Sequence, residues 1–263
     1  MKSILLTLAV AISLYGCKSS GPGPLAKKLL AVSSEAGVSL TNQAELDRVL
    51  DLAEKRTEDK SGAERVEALN RLIFEELKFE REVQDDSIKF MLLPYVIEKK
   101  RGSCLGLAAL YLVLAERLDM KVEGVLVPRH FFLRHRGRNI ELLRKGESMP
   151  EEWYKKTWRV PEGASAYLRP LTEEELVAVF RFNLGNARRM KGDYREAEEI
   201  YWQVIDAFPD FAEAHANLGL ALQLQKKFKL AEEAYLRARS LQPGLPGLKQ
   251  NIEALRIDMG QTP

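Results

Sequence analysis

The chain has 263 residues, enough for one medium domain and a small one. Its 40 basic and 38 acidic residues nearly balance, which argues against nucleic acid as an obligate partner. Its three histidines and two cysteines lack the spacing of a zinc site, and there is no glycine-rich loop to cradle a phosphate. The sequence therefore predicts neither a metal nor another cofactor.

The first residues have the composition of an export signal. Lys2 supplies a positive charge, and the apolar run over residues 4–14 is too short to span a membrane. Leu14-Tyr15-Gly16-Cys17 resembles the cleavage box of a bacterial lipoprotein, in which Cys17 would be lipidated. A plain secretory signal with an incidental cysteine is the alternative. We therefore expect a signal peptide at residues 1–16.

The segment after Cys17 is expected to be a lipidated cysteine and a flexible tether, over residues 17–40. It begins Lys18-Ser-Ser-Gly-Pro-Gly-Pro, a composition that packs poorly. Lys18 is not the aspartate that holds some lipoproteins at the inner membrane. The sequence thus predicts a membrane partner through the lipid anchor. It predicts a place in the bacterial cell envelope, on the periplasmic face of the outer membrane if the host has two membranes.

The middle of the chain predicts helices followed by a small sheet. Apolar residues recur at helical spacing from about residue 26 to residue 79, and again over residues 87–100 and 105–118. Three later segments have the pattern of strands: residues 122–127, 130–135 and 140–143. Helices followed by an antiparallel sheet indicate an α+β domain, which we expect at residues 41–170.

Four aromatic residues follow the predicted sheet. They are Trp153, Tyr154, Trp158 and Tyr167. We expect them to pack against the region that comes next, with the rim of a peptide groove as the alternative.

The last third of the chain, residues 171–263, contains a repeat. Asn183-Leu184-Gly185 recurs as Asn217-Leu218-Gly219, an offset of 34 residues. This period and pattern resemble two tetratricopeptide repeats, at residues 178–211 and 212–245, with a closing helix after them. Two repeats do not bury a stable core alone, so we expect them to pack on the preceding domain. Such repeats also predict a peptide or protein partner.

One thiol has a setting that indicates chemistry. If Cys17 is lipidated, Cys104 has no disulfide partner, and it opens a predicted helix whose N-terminal amides favour an anion. His130 opens a strand and is the candidate general base, while Glu141 on the next strand is the candidate that orients the imidazole. Asn139 is the runner-up for that third role, because papain-like sites can use an amide. The alternative is a buried structural cysteine and a core histidine.

Three segments carry a family resemblance: Val96-Ile97-Glu98-Lys99-Lys100-Arg101-Gly102, Leu107-Ala108-Ala109-Leu110-Tyr111-Leu112, and Glu123-Gly124-Val125 with Pro128 and His130-Phe131. They resemble the SirB-type branch of the transglutaminase-like superfamily, which also carries C-terminal tetratricopeptide repeats. The resemblance implies a papain-like core with the nucleophile at a helix N-terminus against a sheet, and it favours Glu141 as the acid. Many members of that branch lack the cysteine that this chain has at position 104.

Two functions remain open at this point. The first is an envelope-anchored cysteine hydrolase or acyltransferase that acts on amide or peptide bonds through a thioester. The second is a non-catalytic periplasmic adaptor that binds partner peptides through its repeats. A redox role is disfavoured because no resolving cysteine accompanies Cys104.

Overall fold

The structure is a computed structural model that describes residues 21–83, 87–163 and 165–261. The expected signal peptide at residues 1–16 and the expected lipidation site Cys17 lie outside the described residues. Helices and small sheets are followed by an all-helical region, which confirms the predicted α+β class with a helical repeat. No helix in the described part of the chain combines the length and the apolar character needed to cross a membrane.

The first part of the structure, here called the α+β unit, contains six α-helices within the described ranges. They are α1 (Pro24–Glu35), α2 (Gln43–Thr57), α3 (Gly62–Arg71), α4 (Leu93–Lys99), α5 (Cys104–Arg117) and α6 (Glu151–Trp158). Its strands are β1 (Glu80–Arg81), β2 (Arg101–Gly102), β3 (Val122–Val127), β4 (His130–His135) and β5 (Arg138–Ile140). Strands β1 and β2 form a short parallel pair, and β3, β4 and β5 form an antiparallel sheet in that order.

The antiparallel sheet separates two apolar layers because its side chains alternate. Leu126, Phe131 and Leu133 join the main core around α5, while Val125 and Phe132 pack with Tyr154 of α6 on the other face. Helix α5 is buried at every residue from Leu105 to Ala115, and it contacts α1, α2, α4, β3 and β4. The sheet and the helix that opens with Cys104 are therefore parts of one packed core.

Two sequence-based boundaries differ from the structure. Residues 87–100 do not form one helix, because a 3₁₀ turn at Ile88–Met91 precedes α4, which starts one residue before Pro94. Proline lacks an N–H and fits the first turn of a helix, so the new helix begins there. The last strand comes earlier than residues 140–143, since β5 ends at Ile140 and a 3₁₀ turn occupies Leu142–Arg144.

The expectation of a flexible tether through residue 40 is wrong for residues 24–35. These form α1, which buries Leu25, Ala26, Leu29 and Val32 in the main core. Pro24 starts the helix, where its missing N–H is not needed, and the apolar residues recur at helical spacing. The helix packs against α4, α5 and α7 (Glu173–Lys191).

The helical region, here called the repeat unit, consists of α7, α8 (Tyr194–Ala207), α9 (Ala212–Leu224), α10 (Phe228–Leu241) and α11 (Leu248–Asp258). Each pair of helices approaches closely at a glycine. A Cβ on Gly185 would lie 2.8 Å from the Tyr201 ring, and one on Gly219 would lie 2.6 Å from the Tyr235 ring. The repeat therefore needs glycine at both positions.

The repeat unit docks on the α+β unit as the sequence predicts. Leu176, Val179 and Phe180 of α7 belong to the same buried cluster as α1 and α5. Tyr167, in the connection before α7, donates a hydrogen bond to Glu213 of α9. Two repeats can thus be stable because the core of the α+β unit covers the exposed side of the first one.

The docked α1 predicts a stability effect. Leu29 is 2 % exposed in the core, so Leu29→Ala should lower the free energy of unfolding by about 2–5 kcal/mol. The exposed neighbour Lys27 is the matched control, and Lys27→Ala should change stability by less than about 0.5 kcal/mol. Chemical denaturation of residues 18–263 measures both. Equal, small effects would mean that α1 is not packed as described.

Candidate active site

Cys104 is the first residue of α5, and the chain before it fixes that helix end. Ser103 is the N-cap, and its Oγ accepts a hydrogen bond from Gly106 N at 3.2 Å. Ser103 N donates to Phe90 O at 2.8 Å. Gly106 packs so tightly that any Cβ there would collide with the same Phe90 carbonyl oxygen. These contacts hold the helix start, and the thiol with it, in one place.

His130 begins β4 directly after a two-residue turn. Pro128 and Arg129 connect β3 to β4, and Arg129 has a φ of 61°, a left-handed conformation that favours glycine. The His130 side chain is almost fully buried, at 3 % exposure for the residue. Its Nε2 lies 2.8 Å from Glu141 Oε2.

Glu141 follows β5 and has no exposed surface. Its other oxygen, Oε1, accepts a hydrogen bond from Leu143 N at 2.9 Å, which fixes the carboxylate as the cap of the short 3₁₀ turn. Its backbone N donates to Glu147 O at 2.9 Å. Both carboxylate oxygens therefore have partners, as a buried charge requires.

Asn139 does not contact His130 through a hydrogen bond. Its Oδ1 accepts from Arg134 Nε at 2.8 Å, and its Nδ2 donates to Met149 O at 2.9 Å. The structure thus places Glu141, and not the runner-up Asn139, behind the imidazole. Asn139 instead ties β5 to β4 and to the loop before α6.

The second ring nitrogen of His130, Nδ1, is the one not bonded to Glu141, and His130 and Cys104 line the same cleft. Nδ1 is buried and has no conventional hydrogen-bond partner among the described residues. Because Nε2 is bonded to Glu141, Nδ1 is the nitrogen available to Cys104. Burial alone would lower the pKa of His130, but the interactions with Cys104 and Glu141 outweigh it and raise that pKa from 6.5 to about 9. Both partners thus favour the protonated form of the imidazole.

Helix α6 forms an aromatic wall beside the imidazole. The Trp158 ring stacks on His130 with centroids 4.3 Å apart and an interplanar angle of 12°. Tyr154 stacks on Phe132 at 3.8 Å, and burial together with the Glu141 charge raises the pKa of Tyr154. These rings keep water away from one side of the His130–Glu141 pair, which strengthens the interaction between them.

The sequence did not predict this role for α6. We expected Trp153, Tyr154, Trp158 and Tyr167 to pack against the repeats, and that is correct only for Tyr167, which contacts Glu213. Trp153 and Tyr154 pack against each other and under the sheet instead. Contacts between α6 and β4 join residues more than twenty positions apart, and no periodicity in the sequence specifies them.

A cleft of about 490 Å³ opens in front of Cys104 and His130. Cys104 is a partly exposed residue and lines this cleft. The backbone amides of Cys104 and Leu105 are in the first turn of α5, where no carbonyl of the helix can accept from them, and both residues line the cleft. A polarised carbonyl oxygen beside the thiol would find these donors.

The described residues contain no cluster of three or more histidine, cysteine, aspartate or glutamate side chains able to hold a metal ion. The site brings together a thiol, an imidazole and a carboxylate. This combination can activate a nucleophile and transfer a proton.

Two protein-family models match the chain. A model of the transglutaminase-like superfamily matches residues 41–178, the region that contains Cys104, His130 and Glu141. The chain belongs to the transglutaminase-like superfamily. A tetratricopeptide repeat model matches residues 182–246, which confirms the predicted repeat, and such repeats indicate binding of a protein partner. No curated protein matches the chain.

The raised pKa of His130 predicts a measurable titration. The ¹⁵N NMR shifts of the His130 ring should report a protonated imidazole at pH 7, with a midpoint near 9. Glu141→Gln should lower that midpoint, because an amide carries no negative charge. Glu147→Gln, at an exposed carboxylate that pairs with Arg144, is the matched control and should leave it unchanged.

The same shift predicts how stability depends on pH. The folded-state pKa lies above the ordinary value of 6.5, so protonated His130 stabilises the fold fully below pH 6.5. That contribution is lost as the pH rises through about 9. A midpoint near 6.5 in the native protein would contradict the described hydrogen bonds.

Proposed function

We propose that this transglutaminase-like protein is a cysteine-nucleophile hydrolase or acyltransferase that acts on amide or peptide bonds. The observation that carries the proposal is the row Glu141–His130–Cys104 with an open cleft in front of the thiol. A purely structural histidine would not need a buried carboxylate on one nitrogen and a thiol at the other. A purely structural cysteine would not need to face a cleft.

The proposed reaction has two halves. Cys104 gives its proton to His130, its sulfur attacks the carbonyl carbon, and the carbonyl oxygen takes the negative charge near the first-turn amides of α5. The C–N bond then breaks as protonated His130 gives its proton to the leaving amine, which leaves a thioester on Cys104. Water or a second amine attacks the thioester, His130 takes its proton and passes it to the sulfur, and the C–S bond breaks to free the thiol.

Glu141 keeps the imidazole ready for both halves. It holds Nε2, which leaves Nδ1 as the nitrogen available to the thiol, and its charge stabilises the imidazolium. Trp158 restricts the ring from one side. The protein thus supplies orientation and electrostatic stabilisation with its own side chains.

The alternative is a non-catalytic adaptor that binds partner peptides through its repeats. The repeats fit this role as well as they fit an enzyme. A test of the chemistry therefore has to read out the thiol itself, because binding of a peptide would be compatible with either function.

We expect p-nitrophenyl acetate to acetylate Cys104 and release one p-nitrophenolate per site in a burst. Cys104→Ala should abolish the burst. His130→Ala and Glu141→Gln should slow it by about 100-fold, the size of a typical general acid–base contribution. Stopped-flow absorbance gives the rate, and peptide mapping by mass spectrometry gives the acetylated residue.

Asn139→Ala is the control for the third role. It removes a buried amide that does not contact the imidazole, so the burst should slow far less than with Glu141→Gln. The reverse order would assign the orienting role to Asn139. A wild-type protein that shows no burst and no acetyl-Cys104 would favour the adaptor.

We further propose that the protein is a lipoprotein of the SirB-type branch, anchored in the bacterial envelope through Cys17. The support is the sequence: a basic start, a short apolar run and Leu14-Tyr15-Gly16-Cys17. The periplasmic face of the outer membrane is the proposed place in a host with two membranes, because Lys18 is not the aspartate of an inner-membrane signal. The membrane would then be one partner and a peptide or protein the other.

The anchor makes a prediction with a built-in control. Cells fed an alkynyl palmitate analogue should label the wild-type protein, and Cys17→Ser should lose both the label and partitioning into detergent. Cys104→Ser removes the other cysteine and should keep both. Unchanged labelling of Cys17→Ser would overturn the lipoprotein proposal.

A further inference from the structure

The cleft in front of Cys104 has two walls that come from different parts of the chain. One wall belongs to the α+β unit and includes Cys104, Leu105 and His130. The other wall is the repeat unit, from which α7 contributes Asn186 and Met190, while α9 contributes Asn217. Anything that reaches the thiol through this cleft therefore passes the inner face of the repeats.

Two amide side chains on the repeat wall are held side by side. Asn186 Oδ1 accepts hydrogen bonds from Tyr201 Oη and from Asn217 Nδ2, each at 2.7 Å. This arrangement fixes both amides and leaves Asn186 Nδ2 as a donor and Asn217 Oδ1 as an acceptor. Neither of these two atoms makes a hydrogen bond within the described part of the chain. A neighbouring donor and acceptor match the C=O and the N–H of peptide groups.

The mouth of the same wall carries an apolar side chain that the fold does not use. Met190 is 75 % exposed although it lines the cleft. Methionine is flexible and polarisable, which suits contact with varied apolar side chains. Deeper in the cleft, Leu105, Leu126 and Val179 continue the apolar surface.

We propose that the repeat wall is the substrate-specificity element of the thiol site. It binds the main chain of an extended peptide at Asn186 and Asn217, and it holds an apolar side chain of that peptide at Met190. The repeats and the thiol thereby act on the same molecule, whose scissile carbonyl is presented to Cys104. This inference rests on the proposed function and specifies its substrate as a peptide with an apolar residue near the scissile bond.

Two electrophiles with the same reactive group separate the wall from the thiol. Chloroacetone reaches the thiol without filling the cleft, and N-acetyl-leucyl-alanyl chloromethyl ketone presents peptide groups and an apolar side chain. In both, the sulfur displaces chloride and forms a thioether. The ratio of the two second-order rate constants, with mass-spectrometric mapping to Cys104, measures recognition by the wall.

Variants are chosen so that the protein still folds. Asn186→Asp keeps an oxygen for Tyr201 and Asn217 and replaces the free N–H donor by a charged carboxylate oxygen. Met190→Ser changes an exposed side chain. Each should lower the rate ratio by about fivefold, the value of one modest hydrogen bond or apolar contact. Asn251→Asp and Ile257→Ser make the same changes on α11, away from the cleft, and should leave the ratio unchanged.

The outcomes separate this inference from the function on which it rests. A preference for the peptidyl ketone that falls in Asn186→Asp and Met190→Ser, and not in the α11 variants, supports the specificity wall. Reaction of Cys104 with chloroacetone but an unchanged ratio in both wall variants overturns the wall alone. Failure of chloroacetone to label Cys104 in the folded protein overturns the nucleophile and the wall together.

Discussion

The site depends on one buried interaction, the hydrogen bond between His130 and Glu141. An imidazole and a carboxylate out of water cost free energy unless good geometry and further hydrogen bonds offset the lost hydration. Leu143 N satisfies the second oxygen of Glu141, and Trp158 covers the imidazole face. These groups come from different elements: His130 from β4, Glu141 and Leu143 from the 3₁₀ turn after β5, and Trp158 from α6.

The position of the Cys104 thiol is fixed separately, by backbone contacts at the start of α5. Phe90 O accepts from Ser103 N and leaves no space for a Cβ at Gly106, so the 3₁₀ turn before α4 and the start of α5 are locked together. Helix α5 is buried at every residue from Leu105 to Ala115, and this packing fixes its axis. The small motions that would separate Cys104 from His130 are thus opposed by packing as well as by the site's own hydrogen bonds.

The sequence predicted what local patterns specify. Alternating apolar residues predicted both ends of strands β3 and β4. An apolar run predicted α5, and a 34-residue offset predicted the repeat. The sequence did not predict the features that depend on long-range contacts. The composition of residues 18–24 suggested a tether, yet the apolar spacing from Leu25 docks α1 in the core. Spacing could not separate Asn139 from Glu141, because the choice depends on Arg134 and Met149. The stacking of Trp158 on His130 had no local signal.

The shared cleft changes how the two candidate functions relate to each other. An adaptor and an enzyme are alternatives only if the repeats bind their partner somewhere other than at the thiol. Here α7 is at once the helix that docks the repeats on the main core and a wall of the cleft at Cys104. In the proposed enzyme, binding energy gained along the repeats would orient the scissile bond, which is how remote contacts accelerate a reaction. A repeat unit that was not docked on the α+β unit could bind peptides, but it could not align them with His130.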